Sequence, residues 1–294
     1  MFDTPKPWLG LVLLLLVTGC REALAPDPQL VSPAPTVTPA PAGRPTPLES
    51  TPQTPGVWPD ADQIPTSLQP YLQDLTRLGV LTAGNAAGQF LPNQPLTRRE
   101  LARWLVATYN RYHPNDPNAQ IRLAGPAVTP IFTDVPASDP DFGVIQGLAD
   151  AGLIPSPLTG QATQVSFRPD APVTRETLLL WKGPLDSQGA VPNASLEAIT
   201  QVWGFKDVSK LDPQALGVVL ADHALGEQST IRRVWGRTLL LQPQKSVTRA
   251  EAAAALWAMG PAGRGVTAAD MLNRPTPSAV SPSPQSLPST PQGG

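Results

Sequence analysis

The sequence is poor in charge, aromatics, imidazole and thiol. Of its 294 residues only 15% are charged and 5% aromatic, with two histidines and one cysteine. Each shortage excludes a class. One cysteine can neither close an internal disulfide nor furnish a cysteine-rich zinc site. His113 and His223 stand in unrelated contexts, without metal-ligand spacing. The formal net charge of -2 lacks the Lys/Arg excess of a phosphate-backbone binder, so nucleic acid is not an expected partner. There is no Gly-rich phosphate loop and no serine-nucleophile motif. Asp60-Ala-Asp62 and Asp139-Pro-Asp141 read as turn and capping residues rather than paired carboxylates or calcium ligands. No catalytic residue, metal or cofactor is assigned, and the chain is expected not to be an enzyme.

Proline is what the chain has in excess, with 38 residues. Residues 25–56 and 275–294 are built mainly from Pro, Ser, Thr, Ala and Gln, without hydrophobic periodicity. Neither stretch can bury enough apolar surface to offset chain entropy, and both are expected to be disordered and extended. Between them, residues 57–261 are long enough for a core.

The apolar run at residues 8–17, WLGLVLLLLV, is too short to span a bilayer but has the length of a secretory signal core. It ends in Val17-Thr18-Gly19-Cys20. This resembles the lipobox of bacterial lipoproteins, in which the cysteine is lipidated and becomes the mature N-terminus. Residues 1–19 are then a signal peptide, and 20–56 a lipidated Cys20 with a Pro/Thr-rich linker. Arg21 follows the cysteine, and by the same resemblance this favours the outer membrane, with the protein facing the periplasm. At about 3.1 Å per residue in polyproline II, the linker reaches on the order of 100 Å.

The intervening region is repetitive. FLPNQPLTR (90–98), FRPDAPVTR (167–175) and LQPQKSVTR (241–249) align without gaps, and their Thr residues lie 77 and then 74 positions apart. Upstream of each stands an aromatic-x-Asp opening, at Asp60, Asp134 and Asp207, read as a turn whose Asp can cap the helix that follows. A first helix is expected to run to Gly79 and Gly152, which fit a left-handed C-cap; Ala224 replaces them in the third copy. A second helix opens at Thr97, Thr174 and Thr248. Thr97 with Glu100, and Thr248 with Glu251, match a capping box, whereas Glu176 stands one place early, so the reciprocal bond is expected to be lost there. Trp104, Trp181 and Trp257 read as core fillers on these helices, Gly183-Pro184 as an early end to the second copy's helix, and Trp235 as a brace for an insertion.

Phe-x-Asp-Val, the Gly turn, Phe-x-Pro-Asp-x-Pro-Val-Thr-Arg and a helix opening on Thr-Arg-Ala-Glu resemble the S-layer homology domain, in three tandem copies at 57–113, 130–185 and 203–261, followed by a Pro/Ser-rich tail at 262–294. The resemblance implies a mainly α fold, three helix-loop-helix repeats packed as a pseudo-threefold, three-pronged bundle. It implies non-covalent binding of cell-wall polysaccharide or peptidoglycan-linked polymer, including pyruvylated glycan, in grooves between prongs. It also implies that the Arg of Thr-Arg contacts the ligand, here Arg98, Arg175 and Arg249. A guanidinium fork matches a carboxylate in two parallel hydrogen bonds. Alternatively these arginines lock the helix starts through ion pairs, for instance with Asp170 or Glu176. The function expected is a non-catalytic lipoprotein tethering membrane to wall. The alternatives are an envelope scaffold binding other envelope proteins and an enzyme acting on wall glycan.

Overall fold

A computed structural model describes residues 58–160, 165–189 and 191–274. The apolar run, Cys20, the linker and the tail from residue 275 lie outside the described residues. The described part is mainly helical. Its elements are α1 (Gln69–Arg77), α2 (Arg98–Tyr112), α3 (Phe142–Asp150), α4 (Arg175–Asp186), α5 (Leu196–Trp203), α6 (Leu216–Ala224), α7 (Thr230–Trp235), α8 (Arg249–Leu256) and α9 (Ala268–Leu272). A two-stranded antiparallel sheet joins β1 (Ala258–Met259) to β2 (Val266–Thr267).

The local signals act as the sequence anticipates at most helix ends. Thr97 and Thr248 make complete capping boxes with Glu100 and Glu251. Thr174 accepts from the Thr177 N–H but has no reciprocal partner. Gly79 and Gly152 adopt φ of +72° and +68° after α1 and α3, a region open to glycine because it has no Cβ. In the third copy the left-handed residue is Gly226, two places later, and α7 follows it.

The apolar stripes of α2, α4 and α8 build one core. Trp104, Trp181, Leu101, Leu105 and Leu178 are fully buried, as are the four alanines 252–255 of α8. Three extended segments cross at its centre. Leu96 N–H donates to the Val247 carbonyl (3.0 Å), Val247 N–H to that of Val173 (2.8 Å), and Val173 N–H to that of Leu96 (2.8 Å). These are the aliphatic residues preceding each Thr, and they form a closed cycle in which every copy donates once and accepts once.

Four expectations need correction. Asp60 and Asp207 make no side-chain cap to the helical turns after them, because their carboxylates are committed elsewhere, as described below. The α4 helix runs through Pro184 to Asp186. The proline sits so near the end that only one carbonyl, that of Leu180, loses its helical donor, while Ser187 bonds the Gly183 carbonyl through both N–H and Oγ (2.9 and 2.8 Å). Gly183 is needed for packing: a Cβ there would lie 2.5 Å from Val218 Cγ1 of α6. Trp257 is only half-buried; it donates to Asp74 Oδ2 (2.8 Å) and meets the edge of Tyr71. Finally, the segment after residue 262 begins folded. β2 pairs with β1, and α9 carries its own capping box, Thr267 with Asp270, and packs against α1.

Candidate functional site

The three opening aspartates do one job. Asp60 accepts the N–H groups of Phe90 and Leu91 (2.8 and 2.7 Å), Asp134 those of Phe167 and Arg168 (2.7 and 2.6 Å), and Asp207 those of Leu241 and Gln242 (2.9 and 2.7 Å). Each carboxylate clamps the first two residues of its own copy's nonapeptide. The second of these is left-handed without being glycine: Leu91, Arg168 and Gln242 have φ of 58°, 55° and 53°. That conformation costs about 1–2 kcal/mol, and a pair of charge-assisted hydrogen bonds offsets it. At Asp134 burial pushes the pKa upward, but the donors from Phe167, Ser166 and Arg168 together hold it below the ordinary aspartate value.

The clamp fixes a carbonyl at the start of each nonapeptide, and the preceding copy's arginine reaches for it. Arg98 Nε donates to the Phe167 carbonyl (2.7 Å), Arg175 Nη1 to that of Leu241 (2.9 Å), and Arg249 Nε to that of Phe90 (2.6 Å). Each arginine is the first residue of its helix, and its backbone follows the same rule. The Arg98, Arg175 and Arg249 N–H groups donate to Ala171, Lys245 and Gln94 of the next nonapeptide. Aromatic rings line two of the seats. The Arg98 guanidinium lies 4.9 and 4.8 Å from the Phe167 and Trp181 ring centres, that of Arg249 5.0 and 4.8 Å from Phe90 and Trp104. In the third copy Ala255 occupies the tryptophan position. Trp235, from α7, supplies the ring instead, 4.6 Å from Arg175, and donates to Glu251 (3.1 Å). The insertion thus braces this junction.

The three arginines differ in what neutralises them. Arg249, 2% exposed, pairs with Glu100 and also donates to the Thr82 carbonyl (2.6 Å). Arg175, also buried, pairs with Glu251 at 3.5 Å. Both glutamates are the capping-box residues of the next copy. Copy two has Thr177 at that position, so Arg98 forms no ion pair among the described residues. Burial pushes its pKa down to about 10, Arg168 adds to the depression, and Asp134 opposes it. The junction between copies one and two therefore holds a half-buried guanidinium, beside a second arginine, whose Nη groups make no hydrogen bond among the described residues.

Around it runs an ionic network that sequence reasoning missed. Arg99 bonds Asp141 and Asp170 (2.7 Å each) and lies 3.3 Å from Asp139; Arg103 also bonds Asp141. Asp170 thus pairs with Arg99, not Arg98. Glu176 accepts from the Asp212 N–H (2.8 Å) and Gln244 (3.1 Å). No group of three or more His, Cys, Asp or Glu among the described residues could hold a metal ion.

Residues 59–102 and 131–179 match the S-layer homology domain. Both matched segments run from an aspartate-clamped opening into the helix that begins with the Thr-Arg motif. The third copy lies outside the matched residues. No curated protein matches the chain. S-layer homology domains are wall-binding modules for cell-wall polysaccharide, not catalysts, which associates the chain with the cell envelope.

Proposed function

We propose that the chain is a non-catalytic envelope lipoprotein that binds peptidoglycan-linked wall polysaccharide and tethers a membrane to it. In this reading residues 203–261 are a third S-layer homology repeat, and the three copies form a pseudo-threefold, three-pronged bundle. The shared aspartate clamp, the arginine reach and the closed hydrogen-bond cycle support it. Cys20 is the lipid anchor, in the outer membrane with the folded part facing the periplasm.

The observation that carries the binding reading is Arg98. An arginine whose Nη groups lack a carboxylate, on a ring-lined seat and beside Arg168, is suited to an acidic group on a glycan. Arg175 and Arg249 already hold carboxylates of the chain itself. The junction between copies one and two is therefore the principal groove, and the other two arginines mainly hold copies together. Sedimentation with purified wall sacculi tests this. Residues 57–274 are expected to pellet with pyruvylated sacculi, and Arg98→Ala to stay in the supernatant. Equal pelleting of both proteins would refute the assignment of the groove, and no pelleting of either would refute wall binding. For the anchor, Cys20→Ser is expected to abolish lipidation and globomycin-sensitive processing.

A further inference from the structure

A second concavity lies away from the arginine seats, between α4, α6 and the turn after β1. It has a volume of about 290 Å3, and its walls include Leu179, Val218, Leu225 and Pro261. That is near the lower end for small-molecule sites, which are mostly apolar with a few placed polar groups. Its polar groups are Lys182, Asp186 and Asp222. Lys182, 2% exposed, donates to both oxygens of Asp186 (2.7 and 2.5 Å), one turn along the same helix.

The hydrogen-bond capacities decide what could enter. Asp222 already accepts from Ser229 Oγ and from the N–H groups of Thr230 and Ile231. Asp186 takes the Gly260 N–H besides its lysine. Lys182 has three donors and two hydrogen bonds among the described residues, which leaves one N–H over. The charges already balance, since Arg233 lies close enough to interact with both Asp186 and Asp222. A charged head would unbalance them, whereas an uncharged acceptor would satisfy the spare donor.

We propose that this pocket binds a small uncharged amphiphile, an apolar body ending in one hydroxyl or carbonyl oxygen that accepts from Lys182. Burial of the lysine, which pushes its pKa down and makes an unmet donor costly, agrees with such an occupant. The site shares no residue with the arginine seats, so it stands or falls independently of wall binding.

The test uses the full chain and the neutral fluorophore N-phenyl-1-naphthylamine. Binding is expected to enhance its fluorescence, and 1-octanol to displace it at concentrations about tenfold below those of octane once solubility is matched. Ala221→Trp, on the half-exposed face of α6, fills the cavity and is expected to remove the saturable enhancement. Ala262→Trp at the exposed rim does the same without touching a helix, should the first variant fail to fold. Lys182→Met with Asp186→Leu is expected to keep fluorophore binding but bring octanol to parity with octane. Absence of saturable binding, enhancement insensitive to a folded tryptophan variant, or no octanol preference in the parent protein would each overturn the proposal. The last result would mean that the spare donor meets only water.

Discussion

Two junctions in this molecule use the same arginine for different ends. Where copy three meets copy one, Arg249 is buried on Phe90 and Trp104, donates to two carbonyls and is matched by Glu100. Where copy one meets copy two, Arg98 occupies the same kind of seat with one carbonyl and no carboxylate. The missing carboxylate traces to one residue, Thr177 in place of Glu. A capping residue chosen for helix initiation in one copy is thus the counter-ion of another copy's arginine. Losing it leaves a helix start with half a cap and a cation with unused donors.

Substitutions can break or sharpen that contrast. The largest effect is expected from Arg249→Ala, which leaves Glu100 without its cation and the Phe90 carbonyl without its donor. Removing one partner of a buried pair costs about 3–5 kcal/mol, to be read as a lowered urea midpoint. Arg98→Ala is expected to cost less, about 2–3 kcal/mol, the worth of one charged hydrogen bond and a cation–π seat, while abolishing sedimentation with sacculi. A stability loss equal to that of Arg249→Ala would erase the distinction between the junctions. Thr177→Glu converts the open junction into the closed type. It completes the capping box of α4 and offers Arg98 a carboxylate, so stability should rise by about 0.5–1 kcal/mol while wall binding falls. A gain in both would show that Arg98 is not the ligand contact.

The smallest effect is a pH response at the junction between copies one and two. Burial pushes the Asp141 pKa upward, but Arg103 and Arg99 together hold it below the ordinary value. A carboxylate with a depressed folded pKa contributes stability above its unfolded value, and that stability is lost as pH falls through the folded one. Melting temperature should therefore be flat near neutrality and drop below about pH 4. Asp141→Asn should melt lower at pH 7 and show a shallower acid slope. An unchanged slope would mean that the network around Arg99 adds nothing to this junction.

The repeat, its helices and its capping were legible because each rests on short-range chemistry. Thr97 finds Glu100 three residues away, and even the missing box at Thr174 could be read from the shifted Glu176. What the sequence withheld depends on partners in other copies. Nothing local indicates that Arg249 sits on Phe90, 159 positions back, or that Trp235 stands in for the ring absent at Ala255. The aspartates were misassigned for a similar reason. Asp before a helical turn is a good cap candidate, but two N–H groups some 30 residues onward compete for the same oxygens and win. One signal for the clamp was available: an aromatic-x-Asp opening and a Phe or Leu at the start of the nonapeptide are paired in all three copies. Pro184 misled because its helix ends soon enough to tolerate it.

The closed cycle also has a temporal consequence. During synthesis the first copy emerges with its helices and its aspartate clamp, yet the arginine for its aromatic seat and the Val247 carbonyl for its Leu96 N–H belong to the last copy. A ring cannot close until its final member exists. The first copy is therefore finished last, and contacts of such long sequence separation make folding slow. In refolding experiments the fluorescence of Trp104 should reach its native value only in the final phase, after local helix formation is complete.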